Sequence, residues 1–348
     1  MPLQPHLKQL IEGRATLARE EAHDLMKQIL AGELSDIEIA ALLGALAARG
    51  ETAAEIAGFV DAMRAAATHF PLAPAEQALL VDTCGTGGDG SRTFNISTAA
   101  ALVAAAAGAS VAKHGNRAIT SQTGSADVLE ALGIPVGLSP IEATAALRAH
   151  RFAFLHAPSL HPAMKAVMPV RRALGVRTVF NLLGPLTNPA GASAQVMGVY
   201  AAHAVPLVAE AMAILGVRHA FVVHGQSETG RGLDEISISG PTHLAEVHNG
   251  IVTLSTITPE DLGLERAPME TLLGDDAATN AAILTAIFAG ERSPRRDIVL
   301  LNAAAVLVAA DLAPDLITGA ALAARTIDTG AVTELVVTLA RKHYSGRH

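Results

Sequence analysis

From residue 79 onward the chain alternates short apolar runs with alanine-rich segments of helical spacing. Leu79–Val81, Ser110–Ala112 and Pro135–Leu138 read as strands. Ser97–Gly108 contains a helix, and Asp127–Gly133 ends one. Ser139-Pro-Ile-Glu142 opens another as a capping box with proline at its first position. Farther on, Gln195–Tyr200 and Ala220–Val223 read as strands flanking a helix near 205–215. Such alternation predicts a largely parallel sheet with helices on its faces. Leu244–His248, Asn249-Gly250 and Ile251–Ser255 form a hairpin signal, since Asn-Gly suits a type I′ turn. The tail from 279 reads as helical. Half the residues are apolar, yet there is no Trp and only two Tyr and eight Phe. The core must therefore be built from Ala, Leu, Val and Ile, which suits helices packed closely on a sheet.

Residues 1–70 follow a different pattern and read as all-helical. Ser35-Asp-Ile-Glu38 and Thr52-Ala-Ala-Glu55 are capping boxes, each followed by apolar residues at helical spacing, with Gly50 as a helix end between them. Residues 71–77 carry two prolines and read as a linker. Residues 168–190 break the later alternation with three prolines, two glycines and three arginines, which suits either a connecting loop or a hinge and ligand wall.

A net charge of −8 argues against electrostatic capture of nucleic acid. The single cysteine, Cys84, allows no intrachain disulfide and fits a reducing cytoplasm. Its place in a glycine loop raises a nucleophile role, but small-residue packing is the preferred reading. The N-terminus shows no apolar signal core, and the longest apolar runs fall short of the roughly 20 residues that span a bilayer. A soluble, cytoplasmic protein is expected.

The chemistry concentrates in "LLVDTCGTGGDGSRTFNIST", residues 79–98, where Gly85, Gly87 and Gly90 spell G-x-G-x-x-G after an apolar run. A dinucleotide site would also need an acidic residue about 20 positions on, at the end of the next strand. That strand ends instead in Lys113, His114, Asn116 and Arg117. No Gly-Lys-Ser/Thr follows, so the loop is not a Walker loop either. The remaining reading is a polyphosphate pocket. Glycines let backbone N–H groups approach an anion, and Asn95, Ser97 and Thr98 lie where the next helix starts. Lys113 adds a full charge, and "SQTGSAD" (121–127) adds a third polar loop. Asp89 could cap backbone N–H groups or accept from sugar hydroxyls. Asp234 and Glu235 are adjacent, and paired carboxylates near phosphates suggest Mg²⁺. The histidines show no H-E-x-x-H or other paired-ligand spacing, so no zinc site is read from the sequence.

Taken together, "GTGGDG…TFNIST" (85–98), "KHGNR" (113–117), "TGSADVLEALG" (123–133), "GVRTVFNLLGPLTNP" (175–189) and "LDEIS" (233–237) resemble the anthranilate phosphoribosyltransferase family across nearly the whole chain. The resemblance implies an α/β fold in which a small all-helical domain is hinged to a large α/β domain with a mainly parallel central sheet. Residues 1–72 with about 168–190 would form the first, and 76–167 with 191–348 the second. It implies transfer of phosphoribose from phosphoribosyl pyrophosphate to the amine of anthranilate, the second step of tryptophan biosynthesis, by a homodimer using two Mg²⁺ ions. Gly85, Gly88, Asp89 and Thr93 would line the sugar-diphosphate site. Asn95, Ile96, Ser97, Thr98, Lys113, His114, Gly115, Asn116, Arg117, Ser121 and Ser125 would continue it. Gly85, Asn116 and Arg171 would contact anthranilate, and Ser97, Asp234 and Glu235 the metal. His114 is the nearest candidate for a general base. "HGQSETGRGLDE" (224–235) is longer than the usual approach to the acidic pair, which leaves its path open. A pyrimidine nucleoside phosphorylase-like enzyme and a non-catalytic nucleic-acid-binding relative are the alternatives. The first should show a different loop, and the second should lose the acidic pair or gain a basic face.

Overall fold

The computed structural model describes residues 3–118 and 123–341. Its sheet contains β1 (Leu80–Gly85), β2 (Ser110–Gly115), β3 (Phe152–His156), β4 (Ala194–Gly198), β5 (His219–Gln226), β6 (Gly232–Leu233), β7 (Thr242–His248) and β8 (Ile251–Ile257). The spatial order is β3-β2-β1-β4-β5-β7-β8, with β6 paired to the end of β5. β1 to β5 run parallel, whereas β6, β7 and β8 pair antiparallel. The β7–β8 turn has positive φ at both Asn249 (51°) and Gly250 (81°), as a type I′ turn requires.

One strand expectation fails. Pro135–Leu138 is irregular, and the strand beside β2 is Phe152–His156. Ile134 and Val136 are buried in the core without pairing to any strand, so an apolar run there reports packing and not a ladder. Phe152–His156 escaped notice because its preceding helix ends at Arg151 in the left-handed region (φ 58°) instead of at a glycine.

Alternate strand residues face two separate cores. Val81, Val196, Phe221 and Val223 pack with the helices Ile96–Ala106, Ala277–Phe288, Pro294–Ala309 and Leu316–Asp328. Met197, Ala220, Val222 and Val247 face the other way, onto helix Ala204–Ile214 and the N-terminal bundle. Residues 168–190 contain two helices, Met168–Leu174 and Phe180–Leu186. Val170, Phe180, Leu183 and Leu186 join the same cluster as Leu43, Phe59 and Val60 of the bundle. Pro169 sits in a helix first turn, where its missing N–H costs nothing.

All three expected capping boxes form. Glu55 does more than cap. Its buried carboxylate accepts from Thr52 N–H at 2.8 Å, Leu17 N–H at 2.8 Å and Arg49 Nη2 at 2.5 Å, tying three bundle segments together. Glu38, in the equivalent box, serves only Ser35. Glu55→Ala should therefore cost about 3–5 kcal/mol, because it strands Arg49 and two N–H groups. Glu38→Ala should shift the thermal transition far less. Equal shifts in a melting experiment would contradict the assignment of Glu55 as the bundle's polar tie.

Candidate functional site

Strand order reverses at β1, whose successor β2 lies on one side and β4 on the other. In open parallel sheets the crevice at the carboxyl ends of such strands is the place for a ligand. Three of the expected segments meet there. The glycine loop leaves β1 at Gly85, Lys113 to Gly115 end β2, and the acidic turn follows β6.

The acidic turn lies directly on the strand ends. A Cβ at Gly85 would collide with the Asp234 carboxylate, and one at Gly198, at the end of β4, with the Asp234 backbone. Gly87 N–H donates to Asp234 Oδ2 at 2.7 Å, and Ser97 N–H, in the first turn of helix Ile96–Ala106, donates to Glu235 Oε1 at 3.1 Å. The two carboxylates thus hold the same kind of loop and helix-start donors that bind an anion. Asp89 accepts from Ser91 N–H and hydroxyl at 3.0 Å and from Asp234 N–H at 3.2 Å, so it caps the loop and anchors the acidic turn. Burial, reinforced by Asp89, raises the Asp234 carboxyl to about 8, and burial beside Asp234 raises that of Glu235 well above its ordinary value.

The cation nearest this cluster is Lys113. It is buried, donates to the Thr83 carbonyl at 2.6 Å and to Ser97 Oγ at 3.3 Å, and its pKa is lowered by burial. One ammonium facing three carboxylates leaves the cluster under-neutralised. Its donors are all oxygens, the set a hard divalent cation takes. Ser97, Asp234 and Glu235 therefore fit a Mg²⁺ site.

The rest of the loop is stitched down. Phe94 N–H donates to the Leu272 carbonyl and Gly274 N–H to that of Arg92. Asn95 donates to the Thr123 carbonyl at 3.2 Å and accepts from Asn280 at 3.0 Å. Gly115 brings Ser125 beside the end of β2, where a Cβ would lie 3.4 Å from that of Ser125. Gly88 has φ 73° and Thr93 bridges Leu273. Ile96 and Thr98 are fully buried, and Thr98 Oγ1 is a buried hydroxyl with no hydrogen-bond partner among the described residues. Ser121 lies outside the described residues.

Arg117 and His114 depart from the sequence reading, whereas Cys84 follows it. Arg117 sits at the site's edge, but its guanidinium is taken up by Glu130 (2.6 and 2.7 Å) and Asp127 (3.1 Å). His114 is buried 5.2 Å from the His161 ring, and burial, with His161 next, lowers it to about 3. So weakly basic an imidazole is a poor proton acceptor, which weighs against a general-base role for His114. Cys84 accepts from Gln195 Nε2 at 3.3 Å, and burial near Asp82 raises its thiol pKa, which leaves it a packing residue.

The structure adds residues the sequence reading passed over. Asp82, buried within β1, accepts from His114 N–H at 3.0 Å and Asn188 Nδ2 at 2.9 Å, and burial raises it to about 6. Arg177 donates to the Gly88 carbonyl at 2.5 Å and stacks on Tyr200 at 4.4 Å. Its signal was present in "GVRTVF", where it stood as an arginine in a loop with no anion of its own. Arg171 lies on the same 168–190 segment, over the Phe180 ring at 5.3 Å and half-buried, and no ion pair holds it among the described residues. The extended 224–235 turn closes on itself through Ser227 and reaches the glycine loop by Arg231 Nη2 to the Gly90 carbonyl at 3.3 Å. No helix among the described residues is long and apolar enough to cross a membrane.

Known proteins share this arrangement. Residues 4–67 match the helical bundle domain of a glycosyl transferase family, and residues 77–333 match its a/b domain. An anthranilate phosphoribosyltransferase of Solibacter usitatus is 53% identical over 342 residues, covering 98% of both chains. The crystal structure of the Thermus thermophilus anthranilate phosphoribosyltransferase superposes with a TM-score of 0.88 at 45% identity, covering 96% of this chain and 98% of that one. The Saccharomyces cerevisiae enzyme, solved in complex with PRPP and Mg, gives a TM-score of 0.86 at 27% identity over 99% of this chain and 98% of its own. With near-complete coverage at this identity, the chain belongs to the anthranilate phosphoribosyltransferase family.

Proposed function

We propose that the chain transfers the 5-phosphoribosyl group from phosphoribosyl pyrophosphate to the amine of anthranilate, releasing pyrophosphate and N-(5-phosphoribosyl)anthranilate, in the tryptophan pathway. The observation that carries this reading is the acidic pair seated on Gly87 and Ser97 N–H groups beside buried Lys113. A nucleoside phosphorylase or a nucleic-acid-binding relative has no use for that arrangement. The glycine loop, Asn95, Ser97, Lys113 and Ser125 bind the sugar diphosphate. Gly85, Asn116 and Arg171 face anthranilate, and Arg117 acts through the loop that holds Asn116, since its own charge is spent on Glu130 and Asp127.

The amine attacks C1 of the ribose as the C1–O bond to pyrophosphate breaks. Positive charge grows on the ring and negative charge on the leaving diphosphate. Lys113 and the loop N–H groups meet that growing charge, a preorganised electrostatic contribution. Ser97, Asp234 and Glu235 would hold two Mg²⁺ ions, which supply further positive charge to the diphosphate. Arg171 grips the anthranilate carboxylate through its forked donors and so orients the amine. The segment 168–190 moves with residues 1–72 as a small helical domain, against 76–167 and 191–348, and brings Arg171 and Arg177 to the glycine loop. The enzyme works in the cytoplasm as a homodimer, for which exposed Ile11 and Ile37 on the bundle offer apolar surface. A turnover assay following the loss of anthranilate fluorescence with phosphoribosyl pyrophosphate and Mg²⁺ tests the reading, and no turnover would refute it.

Arg171→Ala should raise the KM for anthranilate about tenfold to a hundredfold, since a charged hydrogen bond contributes roughly 1.5–3 kcal/mol. The KM for the sugar diphosphate should barely move. Exposed Arg172 is the control. A larger anthranilate effect from Arg172→Ala would remove Arg171 from its role.

Asp234→Asn with Glu235→Gln should fold normally, because it removes charges that burial already disfavours. Turnover should fall by orders of magnitude, with partial recovery in excess Mg²⁺. Wild-type turnover at low Mg²⁺ would mean that the pair only ties the loop and the helix start together and holds no metal.

A further inference from the structure

At the end of the sheet opposite the crevice, two histidines and a glutamate meet across antiparallel strands. The register pairs His219 of β5 with His248 of β7, and Phe221 with Glu246. Glu246 and His248, two residues apart, therefore share the face that carries His219. His219 Nε2 lies 2.8 Å from Glu246 Oε1, the two imidazole centroids are 4.4 Å apart, and one donor atom from each of the three residues lies within 4.8 Å of the others. His219 is buried, Glu246 half-buried and His248 exposed, so the cluster opens to solvent on one side. Behind it, His219 Nδ1 is 3.5 Å from Asp311 Oδ1, and Arg218 holds the same carboxylate.

We propose that His219, Glu246 and His248 form a zinc-type metal site, distinct from the Mg²⁺ site. Two imidazole nitrogens and one carboxylate are the donor set of a borderline ion such as Zn²⁺ and a poor one for Mg²⁺, which prefers oxygen. A metal-bound histidine usually gives its other ring nitrogen to a carboxylate, and Asp311 stands in that position to His219. Coordination requires the stacked rings to open, and exposed His248 is the one free to turn. A water completes the shell from the open side. Glu246 and His248 lie 27 and 29 residues beyond His219 in the chain and reach it only through the pairing of β5 with β7, which is why the sequence shows no zinc spacing. A bound ion would clasp β5 to β7 and, through Asp311, to the turn after helix Pro294–Ala309.

The site is tested in the full chain carrying D234N/E235Q and H343A/H348A, which removes the acidic pair and the C-terminal histidines as competing ligands. Titration with ZnCl₂ should give one ion per chain with a Kd on the order of micromolar or tighter. Co²⁺ should give the visible absorption of a four-coordinate nitrogen–oxygen site. His248→Ala and Glu246→Gln alter exposed or half-exposed side chains, so folding is checked without metal, and each should weaken Zn²⁺ binding by about tenfold or more. Zn²⁺ should also raise the melting temperature of the parent and not of His248→Ala. Binding weaker than millimolar, or binding unchanged in both variants, would overturn the site and leave an ordinary His219–Glu246 ion pair with a histidine stacked on it.

Discussion

Two parallel strands, β1 and β4, end in glycine, and the acidic turn rests in the space their missing side chains leave. The closeness of that contact sets the site. Asp234 can reach the Gly87 N–H only because Gly85 has no Cβ, and its backbone can cross β4 only because Gly198 has none. Side chains there would lift the turn away and carry Glu235 off the first turn of helix Ile96–Ala106. Glycine in this loop was read as room for an anion. Part of that room is already filled, by carboxylates of the protein itself.

A second buried polar tie connects the crevice to the segment 168–190. Asn188 donates to Asp82 Oδ2 at 2.9 Å and to the Ala112 carbonyl at 2.8 Å, bridging β1 and β2 from outside the sheet. Asp82 in turn accepts from the His114 backbone. Each of these groups is buried and each has a partner, so removing one would leave others unpaired at a cost of about 1–3 kcal/mol apiece. From the middle of the same segment, Arg177 holds the Gly88 carbonyl. The segment is therefore fixed to β1 and β2 at Asn188 and to the glycine loop at Arg177, and Arg171 lies over the Phe180 ring of the bundle core. On the proposed reading, a motion of the small helical domain reaches the glycine loop through Arg177.

Local chemistry explains what could be read directly from the chain. The capping boxes at Ser35, Thr52 and Ser139 and the Asn249-Gly250 turn depend on residues within four positions of one another, and all four form. Lys113 and the acidic pair were legible as chemistry, because an ammonium and adjacent carboxylates near glycines have few other uses. Partners at long range were not. Nothing in the order of residues says that Arg117 spends its charge on Glu130, that burial beside His161 lowers the basicity of His114, or that Asp82 rather than Asp89 is the most deeply buried acid near the loop. Phe152–His156 and Pro135–Leu138 show the same limit for strands. Both are short apolar runs, and only one has a neighbour to pair with.

The same donors serve two masters in this site. Gly87 N–H and Ser97 N–H belong to the loop and helix start that attract an anion, yet Asp234 and Glu235 hold them. A diphosphate can reach these groups only if the carboxylates leave, and carboxylates whose pKa values are raised by burial beside Asp89 gain most by turning toward a cation. On the proposed reading, Asp234 and Glu235 exchange backbone N–H groups for Mg²⁺ as the diphosphate takes the N–H groups in their place. The acids would then gain a cation and the diphosphate would gain hydrogen-bond donors. On that reading, the metal frees the N–H groups that the diphosphate takes, so binding of the one favours binding of the other.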